Sequence, residues 1–113
     1  MKVADPISLS ELSQMAESMY GMFVKAVVDL NLEILVVDSE LHVDQEQYLL
    51  EQGSQQTDLW GINLYPQKYG SGDFVEFDSM INIRPRQQNI SRGVENEEIR
   101  KKIIALIKRK VTP

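Results

Sequence analysis

The sequence predicts an α+β fold: one two-layer domain, residues 1–113, whose elements run α-β-β-α-β-β-α. A four-stranded, mainly antiparallel sheet carries the helices on one face. Three observations predict it. Apolar residues recur at helical spacing in separated segments, the first of them opened by a capping signature. Between them lie short runs rich in β-branched and aromatic residues, bounded by Gly, Pro, Asn and Asp. The length suits a single core, and the aromatic and β-branched content argues against disorder.

The first helix starts at "SLSEL", where Ser8 and Glu11 stand in S-x-x-E spacing with Ile7 and Leu12 placed for a hydrophobic staple. Pro6 lies outside it. Leu12, Met15, Ala16 and Met19 form one apolar stripe, and Gly21 supplies the stop. In "MFVKAVVDLNLEILVVD" two strands, about 23–30 and 33–38, form a hairpin around Asp29-Leu30-Asn31. "VDQEQYLLEQG" reads as a short helix with Asp44 as N-cap, Leu49 and Leu50 inward and Gly53 as stop. "WGINLYP" is a third strand ended by Pro66, and "QKYGSGD" a turn. "FVEFDSMINIR" reads as a long fourth strand ended by Pro85. "NEEIRKKIIALIKRK" is the last helix, with Asn96 as cap, Glu97 and Glu98 at its positive end and Lys108, Arg109 and Lys110 at its negative end.

Alternation along the strands places Lys25, Asp29, Asn63, Tyr65, Glu76, Asp78, Asn82 and Arg84 on one face, expected to be open and polar. Such a row is rich in hydrogen-bonding groups and suits a ligand or partner. The plainer account is a wet sheet face with cross-strand charge pairs. Next to it, "NIRPRQQNISRGVENEE" offers Arg84, Arg86 and Arg92 with Asn89 and Ser91 beside a helix start. Guanidinium forks and free N–H groups of that kind bind phosphate or carboxylate. Glu95, Glu97 and Glu98 already occupy the same helix start and oppose a second anion there. The plainer account has the arginines pairing with neighbouring acids to tie the loop down.

Charge is unevenly placed. The net value is −5, yet residues 1–56 hold two lysines against ten acids, and from Arg84 onward nine bases face three acids. An anionic ligand, a nucleic acid or an acidic protein fits the basic end, and an acidic front with a basic end also suits a homodimer. Cysteine is absent, which removes disulfides, thiolate metal sites and cysteine nucleophiles. "DSELHVDQE" spaces Asp38, Glu40, His42 and Asp44 as oxygen and nitrogen ligands for a divalent metal, but no second histidine exists and the spacing fails as a calcium loop. A solvated acidic turn is the plainer reading. No Walker or dinucleotide fingerprint is present, so no cofactor is expected. His42 also serves a second reading, a small hydrolase or toxin-like ribonuclease, although an acidic chain is a poor RNA surface. Tyr65, Tyr69 and Phe74 around Lys68 could stack a base, with hairpin packing as the plainer account. The start lacks an apolar leader and no apolar run is of spanning length, so no membrane association and a cytoplasmic location are expected.

The segments "WGINLYP" (Trp60–Pro66), "IRP" (Ile83–Pro85) and "SRGVE" (Ser91–Glu95) resemble those of a family of small bacterial and archaeal proteins of unknown function. The resemblance runs from "PISLSEL" to the last helix. It implies a stand-alone domain and carries no catalytic role. The function expected is a binding module for an anionic or acidic partner.

Overall fold

The computed structural model describes residues 1–113. A two-residue strand β1 (Lys2–Val3) and another, β2 (Ile7–Ser8), precede helix α1 (Leu9–Ser18). Ser8 caps α1 as expected: its Oγ accepts from the Glu11 N–H at 3.1 Å, while the Glu11 carboxylate takes the Ser8 N–H at 3.5 Å. Gly21, at φ +87°, closes the helix by donating to the Ala16 carbonyl. Strands β3 (Val24–Asp29) and β4 (Ile34–Val37) form the expected hairpin. Asp29 ties its turn: Oδ1 accepts the N–H groups of Asn31 and Leu32, each at 2.9 Å, and Oδ2 accepts Ser54 Oγ at 2.6 Å. Fully buried and thus occupied, Asp29 is a structural anchor and not part of an open face.

Helix α2 (His42–Glu51) begins earlier than expected. Its N-cap is Leu41, without a side-chain hydrogen bond, and Asp44 lies inside the first turn, where its charge meets the helix dipole. Strand β5 (Leu59–Leu64) is central and wholly buried. The long fourth strand does not form: β6 is only Val75–Glu76. The chain instead makes a tight turn at Met80–Asn82, begun by Ser79, whose Oγ accepts from the Ile81 N–H. Asn82 takes over the sheet edge there. Its Oδ1 accepts the Gly61 N–H at 2.8 Å and its Nδ2 donates to the Gly61 carbonyl at 2.9 Å, as a neighbouring peptide would. Helix α3 (Glu97–Lys110) is capped by Asn96, as expected, and runs into β7 (Val111–Thr112), which pairs in parallel with β2.

The main sheet therefore has five strands in the order β1-β4-β3-β5-β6, all antiparallel, with β2 and β7 as a separate small pair. The expectation of four strands missed β1, β2 and β7, each too short for a periodic signal. Helices cover both faces, not one. Leu12, Ala16, Ile103, Leu106 and Ile107 of α1 and α3 pack on Val24, Ala26, Val28, Leu35, Ile62 and Leu64. On the reverse face Leu49 of α2 packs with Ile81 on Val27, Val36 and Leu59. Strands apolar on both sides require cover on both sides. No helix is long and apolar enough to cross a membrane.

Candidate functional site

Helix α2 covers only part of its face. At the end it leaves, the β3–β5–β6 register aligns Lys25, Asn63 and Glu76 in one row. The first turns of α2 close the floor beside that row. Lys25 lies beyond the residues that pair β3 with β4, so its carbonyl is free, and Gln45 Nε2 donates to it at 2.8 Å. His42 Nε2 lies 2.8 Å from the Ile62 carbonyl. A carbonyl only accepts, so Nε2 carries the proton and a neutral ring keeps its lone pair on Nδ1. Burial pushes the His42 pKa below its ordinary 6.5. The bond to Ile62 works against that, the charges of Lys25 and Arg92 reinforce it, and Asp78 opposes it.

The rim is a set of paired and unpaired charges. Glu76 Oε1 accepts Asn63 Nδ2 at 2.8 Å and the Tyr65 hydroxyl at 3.1 Å. Burial and then this bond with Glu76 hold the Tyr65 hydroxyl above its usual pKa of 10.0. Arg92 Nε donates to Asp78 Oδ1 at 2.6 Å, and the Arg92 carbonyl is itself held by the Ser79 N–H and Asn82 Nδ2. Tyr20, Phe23 and Tyr65 form an aromatic row, with ring centroids 4.9 Å and 5.5 Å apart. Lys25 Nζ stands 5.1 Å from the Tyr20 ring and Lys68 Nζ 4.8 Å from the Tyr65 ring. Neither lysine has a carboxylate within 4.0 Å, whereas Lys2, Arg92, Lys101 and Arg109 do. Of the three buried acceptors without a hydrogen-bond donor, Gln45 Oε1 and Asn63 Oδ1 lie here and the third is Glu46 Oε2.

Of the residues singled out from sequence, Lys25, Asn63, Tyr65, Glu76, Asp78 and Arg92 meet in this patch, with His42 at its floor. The others go elsewhere. Asn82 is buried at the β5 edge, as above. Asn89 clips its loop, donating from Nδ2 to the Asn82 and Gly93 carbonyls at 2.7 and 2.8 Å and accepting the Glu95 N–H at 2.8 Å. Ser91 Oγ accepts from the Gly93 N–H, and Arg86 is exposed without a hydrogen bond. Arg84 does not share partners with Arg92. Its guanidinium carbon sits 4.1 Å from the centre of the Trp60 ring, and Nη1 donates to the Gln56 carbonyl. Only 9% exposed, it leaves Nε and Nη2 unpaired, and burial lowers its pKa against the opposing charges of Glu46 and Asp58. The loop N–H groups of Ile90 and Ser91, which would serve an anion, are taken by Glu95 Oε2 at 2.6 and 3.0 Å.

Asp38, Glu40, His42 and Asp44 do not gather, because His42 turns inward while Glu40 and Asp44 face solvent. No three histidine or acidic side chains come together as a metal-ligating group. Sequence reasoning placed His42 in the acidic turn and missed Gln45, Phe23 and Tyr20 altogether. Gln45 lies with His42 and Leu49 on the buried stripe of α2, a stripe whose polar members hide it from an apolar-periodicity reading, and Tyr20 and Phe23 lie in the link between α1 and β3, which carries no periodic signal.

A small antiparallel α/β domain with helices on both sheet faces and a polar, lysine-bearing patch at one sheet end is the class that emerges. The chain belongs to the family described as "Protein of unknown function (DUF5674)", whose model matches residues 1–110. Neither the curated proteins nor the solved structures contain a match to it.

Proposed function

We propose that the protein is a binding module for a small anionic ligand, held at the end of the sheet face that α2 leaves uncovered. Lys25 and Lys68 carry this reading: both are free of carboxylate partners and both are positioned over tyrosine rings at the margin of one patch. Cations fixed in place and not neutralised favour a phosphate or carboxylate between them. Asp78 is compensated by Arg92, and Glu76 is engaged by Asn63 and Tyr65, so the local acids repel an incoming anion less than their number suggests. The test is an NMR titration with inorganic phosphate, citrate and ribose 5-phosphate. Saturable shifts at Lys25, Asn63 and Tyr65 that vanish in Lys25→Ala/Lys68→Ala support the reading. Shifts that persist in that variant, or that follow ionic strength alone, overturn it.

A second reading, a small hydrolase or ribonuclease, is favoured by one observation: the Ile62 carbonyl fixes the His42 tautomer and leaves Nδ1 as a base beside the Asp78–Arg92 pair. Cleavage of a short RNA or ester that disappears in a folded His42→Gln variant supports it. Unchanged turnover in that variant removes it.

A further inference from the structure

The turn after β5 and the outer face of α3 enclose a groove of about 410 Å³. That volume lies within the range of small-molecule sites, about 300–1,000 Å³. Phe74, Val75, Ile104 and Ile107 make its floor. Tyr69 meets Phe74 edge-on, with centroids 5.1 Å apart and ring planes at 81°. Tyr69 and Ile104 are among the large apolar side chains that remain substantially exposed, and both open into this groove. The helix pattern explains Ile104: Ile103, Leu106 and Ile107 point to the core, which leaves Ile104 on the flank.

The Ser71 hydroxyl at the rim is already engaged, donating to the Lys68 carbonyl at 2.8 Å and accepting the Asp73 N–H at 3.2 Å. Lys108 is the one charged residue lining the groove, and it has no carboxylate within 4.0 Å. The N–H groups of Gly70 and Gly72 make no hydrogen bond within the chain, and no acidic residue lines the cleft. An apolar floor with an unpaired ammonium and free N–H groups at its rim is complementary to an apolar molecule ending in an anion. We propose that this groove binds a free medium-chain carboxylate, with its chain on Phe74, Ile104 and Ile107 and its head at Lys108. This site is separate from the Lys25–Lys68 patch and does not depend on the reading given for it.

The experiment follows the isoleucine methyl groups by NMR while decanoate, kept below its micelle concentration, is added to the full-length protein. Decanol is the neutral control. Saturable shifts at Ile104 and Ile107 are expected with decanoate. Lys108→Glu, on an exposed side chain, weakens decanoate by about tenfold or more, as loss of one charge-assisted contact does, and leaves decanol unchanged. Ile104→Asp abolishes both. Decanoate binding that is equal in wild type and Lys108→Glu overturns the assignment of the anionic head. Absence of saturable shifts overturns the site. Methyl shifts that depend on protein concentration without any ligand overturn it too, since the groove would then seat a second copy of the chain.

Discussion

Asn82 stands where β6, had it continued, would pair with β5, and its amide is used as a peptide group. Removing it leaves the Gly61 N–H and carbonyl buried without partners, each at about 1–3 kcal/mol. Asn82→Ala is therefore expected to lower stability by about 2–4 kcal/mol in urea unfolding, and Asn82→Asp, which keeps only the acceptor, to lower it as well. Glycine is required at position 61 for a related reason. A Cβ there would lie 2.6 Å from the Ser79 side chain, so Gly61→Ala forces the Met80–Asn82 turn outward. Arg84 gives the opposite expectation. Its guanidinium is buried with two nitrogens unpaired, so Arg84→Met, which keeps the packing on Trp60, should leave stability within about 1 kcal/mol of wild type or raise it. Arg84→Ala, which also loses that packing, should lower it by more. An arginine or asparagine reads alike in sequence whether it meets a ligand or its own backbone, because both uses need the same donors and acceptors. That is why one rule picked out Asn63 and Arg92, which lie in the polar patch, together with Asn82, Arg84 and Asn89, which bond to the chain's own backbone.

The helices that announce their own ends were legible. α1 has a capping box and α3 has Asn96 with charges matched to its dipole, so both fell where expected. Ser8→Ala is expected to cost about 1 kcal/mol, read as a lowered urea midpoint. α2 lacks such a signal. Its cap is Leu41, exposed and without a hydrogen bond, and the acidic residue three positions later looked like the start. The misplacement suggests a gain: Leu41→Asp supplies the missing acceptor and should stabilise by about 0.5–1 kcal/mol, checked by the same unfolding measurement. β6 was over-extended for another reason. The alternation of apolar and polar residues through "FVEFDSMINIR" continues across the tight turn, where Ile81 still faces the core beside Leu49. Period-two patterning reports which side a residue faces, not whether the backbone between is a strand.

At the scale of the whole molecule, the layering depended on a count that no single element contains. β3 and β4 offer apolar residues to both faces, and only the assembled sheet shows that Val27, Val36 and Leu59 form a second strip for α2. Placing α2 there also buries His42, which gives the fold a pH dependence of known sign. Burial holds the folded His42 pKa below its ordinary 6.5, whereas the unfolded chain titrates near that ordinary value. Above about pH 6.5 the ring is neutral in both states and contributes no slope. As pH falls through 6.5 the unfolded chain takes up the proton first, and stability declines by at most about 1.4 kcal/mol per pH unit. The decline ends once pH passes the lowered folded pKa, where both states are protonated. Glu11 acts in a different window. Its bonds to Lys2 and Ser8 hold its folded pKa below 4.5, so its contribution is present above 4.5 and lost at lower pH. Urea midpoints measured from about one pH unit above the ordinary histidine pKa to about 1.5 units below it should thus fall toward the acid end in the wild-type chain. The decline should be largely absent in His42→Gln, which keeps a donor for the Ile62 carbonyl but has no proton to gain. A wild-type midpoint that stays flat from neutral pH to about 5 would mean that burial does not lower the pKa of the ring in the folded chain.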